Sequence, residues 1–359
     1  MRILLCERAL SGHRRTYVSR LLQTPGVECY CFIPENVGVD EAHYFECQWN
    51  GNDKSLGDYL SWIRQIRQIV RREKIDIVHI LDGDSIMRWF GAGFSSLGTP
   101  RIVLTYHRFY SGLLRKLSYH CMCAGKDRCC VVHTPEIFDN LTKVGLKSVH
   151  LCTYPAFPYV SLGQRSTAQA KQALSVPQDV PSIGIVGGMS KYKNILPFLD
   201  ALRDCREPFR LILCGKPVDI SAEELERAIA PYRDRVTVLL RQLSGEEYET
   251  AIAASDIIFC VYDGSFDGAS GPLTDGVCAR KMILSCQHGA LGETVARNHL
   301  GLCARWNDRE QIIDKTGEAL RTVRQFRYDD TAQAFRQTLD PGRFQLAYQR
   351  IYLQGRESE

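Results

Sequence analysis

No stretch of this 359-residue chain approaches the roughly 20 consecutive apolar residues that a membrane span needs. No sign of charge dominates either. The formal net charge is +4, too small and too dispersed for a nucleic-acid binder, and no motif of such proteins occurs. Nucleic acid is therefore not an expected partner. The opening segment, MRILLCERALSGHRR, has only a short apolar run with charge directly after it, so it is not read as a secretion signal. No G-x-G-x-x-G follows the first apolar run, which argues against an ordinary dinucleotide dehydrogenase. Cysteine is not scarce, but the 15 residues are odd in number and scattered. Free buried thiols in a reducing compartment, the cytoplasm, are expected. Cys121, Cys123, Cys129 and Cys130 lack the two-residue ligand spacing usual for structural zinc. Cys129 and Cys130 are read as part of a buried strand, and no metal is expected.

What is present is ordinary globular composition, 45% hydrophobic and 24% charged, in a chain long enough for two domains. The first 160 residues carry 20 Lys and Arg against 15 Asp and Glu, and the rest carry 25 against 26. A mild basic excess confined to the first half suits anionic ligands or an acidic membrane surface.

Strand and helix signals alternate along both halves. In the first, Arg2–Cys6, Val27–Ile33, Ile75–Leu81, Arg101–Tyr106, Cys129–His133 and Val149–Thr153 read as strands. Helical stretches lie between them, with Ser85–Leu97 read as one helix. Leu60–Glu73 has Trp62, Ile63, Ile66, Ile69 and Val70 at helical spacing among arginines. That segment, and Leu113–His120, mix apolar and basic residues. A membrane-facing amphipathic helix and a helix packed on its own sheet are both open, and packing is favoured. Turn-rich sequence follows, and the alternation restarts at Ile183–Val186. Such alternation implies doubly wound parallel sheets. The expected division is an acceptor-binding domain over 1–160, a linker region over 161–181 and a donor-binding domain over 182–340. A final helix within 341–359 is expected to return to the first domain. Ligands are expected beyond the carboxyl ends of the strands.

Two loops could carry chemistry. Asp263–Val295 lies across two strand signals and holds Gly264, Gly268, Ser270 and Gly271 before Pro272 and a helix. Small residues let backbone approach a ligand, and a helix start there would aim N–H groups at an anion such as a diphosphate. Asp267 and Asp275 could accept from sugar hydroxyls. The second loop, Gly184–Asn194, is a strand, a glycine turn and two lysines. Lys191 or Lys193 could neutralise a phosphate.

These residues carry a resemblance. The second half resembles the donor-binding domain of glycosyltransferase family 4, whose enzymes have the GT-B fold of two Rossmann-like domains facing a central cleft. Lys193 falls on the family's lysine, and Gly188 falls where the family has arginine. Asp267 and Asp275 stand at the positions of its two glutamates, with the same spacing. Ala279–Ser285 is similar to the family's next strand entry, with Met282 in place of proline, and Gly289–Glu293 to the loop after it. The resemblance implies a retaining, metal-free transfer of a hexose-type sugar from a nucleoside-diphosphate sugar to a glycan, lipid-linked or small-molecule acceptor. It implies Asp267 at the donor sugar, Asp275 at the ribose, and Lys193 with Ser270 and Gly271 at the diphosphate. Gly188, Pro272 and Glu293 complete the donor set. Gly12, His13 and Arg108 are implied on the acceptor side, with His107, at a strand end, as the histidine of the acceptor site. His79 is read as structural. Peripheral contact with the inner membrane face is also implied. The rival readings are a nucleotide-sugar epimerase of the same fold and a noncatalytic partner subunit. Gly188 and the two shortened carboxylates motivate the latter.

Overall fold

The computed structural model describes residues 1–10, 14–48, 55–98, 100–156, 158–266 and 270–354. The chain forms two units. The first comprises Met1–Tyr154 and Pro341–Glu359, the second Pro155–Asp340.

The first unit contains β1 (Arg2–Cys6), α1 (Arg14–Leu21), β2 (Glu28–Ile33), β3 (Tyr44–Glu46), α2 (Leu56–Glu73), β4 (Ile77–Ile80), β5 (Arg101–Tyr106), α3 (Leu113–Cys123), β6 (Arg128–Val132), α4 (Pro135–Lys143) and β7 (Val149–Leu151). The seven strands pair in the order β3-β2-β1-β4-β5-β6-β7, all parallel. Helices cover both faces of such a sheet, so the central strands are buried on both sides and read as unbroken apolar runs. In α2, Tyr59, Trp62, Ile63, Ile66, Ile69 and Val70 are buried. Its apolar face thus packs inward.

The second unit contains α5 (Tyr159–Gln164), α6 (Thr167–Ala173), β8 (Ser182–Val186), α7 (Ile195–Ala201), β9 (Arg210–Cys214), α8 (Ala222–Ile229), β10 (Val236–Leu239), α9 (Gly245–Ala254), β11 (Ile257–Cys260), α10 (Gly271–Cys278), β12 (Met282–Cys286), α11 (Gly289–Arg297), β13 (Gly301–Ala304), α12 (Arg309–Thr322) and α13 (Asp330–Thr338). Its six parallel strands run β10-β9-β8-β11-β12-β13. The order reverses between β8 and β11, and a doubly wound sheet opens its ligand crevice beyond the carboxyl ends at that point.

The last helix, α14 (Pro341–Leu353), belongs to the first unit. Phe344, Tyr348, Ile351 and Tyr352 are buried. The Tyr352 hydroxyl lies 2.7 Å from His79 Nδ1, and Thr105 Oγ1 lies 2.9 Å from its Nε2. His79 is fully buried, so the structural reading of that residue holds.

Three sequence expectations change. Ser85–Leu97 is not one helix: two 3-10 turns, Asp84–Trp89 and Phe94–Leu97, flank Phe90, Gly91 and Gly93, all at positive φ. The stretch read as a linker holds α6, packed with α9 in the second unit. Its Lys171 is 2.6 Å from Asp256. In the first unit, α3 keeps Ser118, Tyr119 and Met122 inward but exposes Leu113, Leu114 and Leu117, so those three leucines do not pack on the sheet.

One backbone contact sets the loop after β8. Gly215 has φ +151°, and a Cβ built there would lie 1.8 Å from Gly187 O. Gly187 itself has φ +95° and donates to Cys214 O at 2.9 Å. Gly215→Ala is expected to destabilise the chain by about 2 kcal/mol or more through strain and overlap. A denaturant midpoint equal to the wild type would contradict this.

Candidate functional site

Both loops singled out in the sequence emerge at the β8/β11 reversal. Gly187 begins the first, and a 3-10 turn over Lys191–Lys193 follows. The turn divides the two lysines. Lys191 is exposed, whereas Lys193 is buried. Lys193 Nζ has Val186 O at 3.5 Å, and the ring centre of Tyr262 lies 5.9 Å away. Among the described residues Lys193 forms no ion pair. Burial lowers its pKa, with a smaller opposing effect from Cys260. A desolvated ammonium without a carboxylate is costly unless an anion completes it.

The second loop is tied to the first. Asp263 N donates to Tyr192 O at 2.8 Å, and Tyr192 stacks on Phe266 with ring centres 5.1 Å apart. Asn194 Nδ2 donates to Trp306 O at 2.7 Å, and His288 Nε2 donates to Asp263 O at 3.1 Å. Ser270 then caps α10: its Oγ accepts from Leu273 N at 3.3 Å and lies 3.0 Å from the Tyr262 hydroxyl. Pro272 has no N–H and Leu273 N–H is taken. The expected set of open amides is therefore narrowed to Gly271 in this turn, among the described residues.

Asp275 lies on α10, buried. The Tyr248 hydroxyl donates to its Oδ2 at 2.7 Å. Burial pushes the Asp275 pKa up to about 7, with the Tyr248 bond acting in the opposite direction. A Cβ at Gly187 would come within 4 Å of Lys193 Nζ, Pro272 Cγ and Tyr248 Cε2. Lys193, Pro272, Tyr248 and, through Tyr248, Asp275 thus surround the glycine turn. Gly188 faces another neighbour: a Cβ there would be 3.2 Å from Val218 Cγ2. Glu293 is exposed on α11 and shares no described contact with Lys193, Ser270 or Asp275. Asp267 lies outside the described residues.

The first unit has its own reversal, between β1 and β4, with different chemistry. Glu7 follows β1, and Asp82 and Asp84 follow β4. Arg14 bridges Glu7 at 3.0 Å and Asp82 at 2.9 Å. Asp84 Oδ2 accepts the His107 backbone N–H at 2.7 Å, and His107 Nε2 donates to Leu81 O at 2.9 Å. Burial raises the Asp84 pKa to about 7, and neighbouring Asp82 adds to the rise. The rings of His107 and His133 are 5.5 Å apart. Arg108 is exposed. Gly12 and His13 lie outside the described residues. Among the described residues no three His, Cys, Asp or Glu side chains come together as metal ligands.

Sequence reasoning missed Tyr248, Tyr262, Glu7, Arg14, Asp82 and Asp84. Positions directly after a strand signal could have pointed to Glu7, Asp82 and Tyr262.

Residues 180–322 match the family model described as Glycosyl transferases group 1. The matched span lies within the second unit. Among solved structures, a glycosyltransferase from Rickettsia africae ESF-5 matches with TM-score 0.78 at 17% identity, covering 100% of this chain and 99% of that one. Sucrose-phosphate synthase from Thermosynechococcus elongatus matches with TM-score 0.76 at 16% identity, covering 100% of each chain. HepE of Anabaena, in complex with UDP, matches with TM-score 0.70 at 14% identity over 98% of this chain and 99% of that one. These likenesses show the GT-B fold. No curated protein sequence matches closely enough to count as a relative. Lys193, the capped helix α10 and Asp275 all lie within the matched span.

The pKa of Asp275 has a consequence for stability. Folding raises it from 3.8 to about 7, so the folded state holds the proton more tightly than the unfolded chain. Stability therefore falls as pH rises from about 4 to about 7 and then levels off. Asp275→Asn removes this slope and gains on the wild type across that window. Parallel stability curves for the two proteins over that range would contradict the assignment.

Proposed function

We propose that this chain is a retaining glycosyltransferase that moves a hexose-type sugar from a nucleoside-diphosphate sugar to a glycan, lipid-linked or small-molecule acceptor. The observation that carries the reading is the buried Lys193 ammonium, with no ion-pair partner among the described residues, at the β8/β11 reversal. Since no described residue pairs with it, an anionic group brought in from outside would make that burial favourable, and a diphosphate is the anion that a domain of this kind suits. The solved HepE complexes contain UDP, UDP with glucose, and UDP-glucose, which supports the same ligand class here.

In this reading Lys193, the Gly271 N–H and the Ser270–Pro272 turn hold the diphosphate, with Gly188 beside it. Asp275 accepts from the ribose hydroxyls, Asp267 meets the donor sugar, and Glu293 lies on the helix after the next strand. Lys193 and the amide offset the charge of the departing diphosphate, so no metal is assigned. Bound diphosphate also raises the lysine pKa again, because the anion favours the charged form. In the first unit His107 positions the acceptor, with Gly12, His13 and Arg108 around it. The acceptor hydroxyl attacks the anomeric carbon on the face from which the nucleoside diphosphate leaves. We place the reaction in the cytoplasm, which the 15 free thiols suit.

One observation favours the noncatalytic alternative. Where the family has arginine, Gly188 offers no cation, and the Val218 side chain stands 3.2 Å from where a Cβ there would lie, so a larger residue would need Val218 to shift.

A thermal-shift series with UDP, GDP, ADP, TDP and CDP separates the readings. Ligand at about 100 times its dissociation constant stabilises the fold by about 2.7 kcal/mol. One nucleotide is expected to raise the melting temperature, and Lys193→Ala to weaken its binding by about 2 kcal/mol or more. If no nucleotide shifts the folded protein, the transferase reading fails and the noncatalytic subunit replaces it. If a nucleotide shifts wild type and Lys193→Ala equally, the lysine assignment fails.

A further inference from the structure

Tyr248 is the only hydrogen-bond partner of the Asp275 side chain among the described residues. It comes from α9, outside both of the loops that meet at the β8/β11 reversal. The start of α9 is fixed by a capping box. Ser244 Oγ accepts from Glu247 N at 3.2 Å, and Glu247 Oε2 accepts from Ser244 N at 2.9 Å. Tyr248 N then donates to Ser244 O at 3.0 Å, at the end of that first turn. Arg165 Nη1 adds a second tie to the helix by donating to Thr250 Oγ1 at 2.8 Å.

From this braced turn the tyrosine spans the space between the two loops. Its ring edge, Cε2, is 3.9 Å from where a Cβ of Gly187 would lie, and its hydroxyl reaches Asp275 on α10. Asp275 in turn lies close under the start of α10: a Cβ at Gly271 would be 4.0 Å from its Oδ2. Burial and the neighbouring Asp275 carboxylate hold the Tyr248 hydroxyl well above the usual tyrosine range, so it remains a donor through neutral pH. Oδ2 is thereby occupied, while Oδ1 accepts no hydrogen bond from the described residues. The terminal torsion of an aspartate is soft. A carboxylate pinned at one oxygen has less freedom to lose when a ligand donates to the other. The tyrosine bond also favours the charged carboxylate, against the burial that favours the neutral acid.

We propose that Tyr248 is a positioning residue for nucleotide recognition: by holding Oδ2 of Asp275, it leaves Oδ1 fixed in place for a ribose hydroxyl. The inference rests on the donor reading and adds to it the residue on which ribose discrimination depends. Tyr248 acts through the carboxylate and need not touch the nucleotide. Phenylalanine would pack against the glycine turn equally well, and only the hydroxyl reaches α10.

The test is titration calorimetry of the full chain with UDP, GDP, ADP and CDP, each beside its 2′,3′-dideoxy counterpart. For the nucleotide that binds, the wild type is expected to favour the ribose form by on the order of tenfold or more, as for a hydrogen bond to a charged group. Tyr248→Phe is expected to reduce that preference to about threefold or less, with the affinity for the dideoxy form within about twofold of wild type. Asp275→Asn is expected to reduce it as far. Adding Tyr248→Phe to Asp275→Asn then changes nothing further, because a residue that acts through another has no effect once the other is gone. This second background makes the same comparison without leaving a buried carboxyl group unpaired. A purely structural tyrosine would weaken the ribose and dideoxy forms alike, and that result overturns the proposal. So does an unchanged preference in Tyr248→Phe, or a further loss on the Asp275→Asn background. Wild type that binds both forms equally overturns the ribose contact and the proposal with it, and leaves the diphosphate site standing. If no nucleotide binds at all, the donor reading itself fails and the proposal falls with it.

Discussion

The constraint on which the second unit's site depends is the desolvation of one ammonium. Lys193 is held out of water at the point where the strand order reverses, with a carbonyl at 3.5 Å and an aromatic face as neighbours. Neither offsets the loss of hydration of a full charge. Several features fix the backbone around it. Gly187 and Gly215 approach each other as only glycines can, and the Asp263–Tyr192 hydrogen bond clips one loop to the other. Asn194, at φ 56°, anchors the turn to Trp306. This rigidity keeps the lysine from relaxing toward solvent. A preorganised cation costs folding stability and adds to the affinity for an anion by the same physics.

The two units share a topology and differ in sign at corresponding points. In the second, the β8/β11 reversal presents Lys193. In the first, the β1/β4 reversal sets Glu7 and Asp82 on the guanidinium of Arg14, and Asp84 on the His107 backbone N–H. Burial, with a smaller push from Asp82, raises the Asp84 pKa to about 7. A cluster of carboxylates disfavours phosphate and favours hydroxyl groups, which can donate to it, whereas a buried ammonium favours an anion.

The alternation of strands and helices was legible because parallel strands buried on both faces need unbroken apolar runs. β1, β5, β8 and β12 all read that way. Lys193 was legible from pattern as one of two lysines, and only the family resemblance chose between them. A 3-10 turn rotates Lys191 out and Lys193 in, and nothing in the composition announces that rotation. Tyr248 was not legible because it meets Asp275 from a separate helix 27 residues away. The break in Ser85–Leu97 depends on Phe90 taking positive φ, which sequence pattern does not reveal. In α2 and α3, similar mixtures of apolar and basic residues led to opposite burial. The apolar residues of α2 recur at three and four positions over five turns, whereas in α3 the leucines cluster in the first turn and a half and the buried Tyr119 and Met122 come only after them. That difference in periodicity is present in the sequence itself.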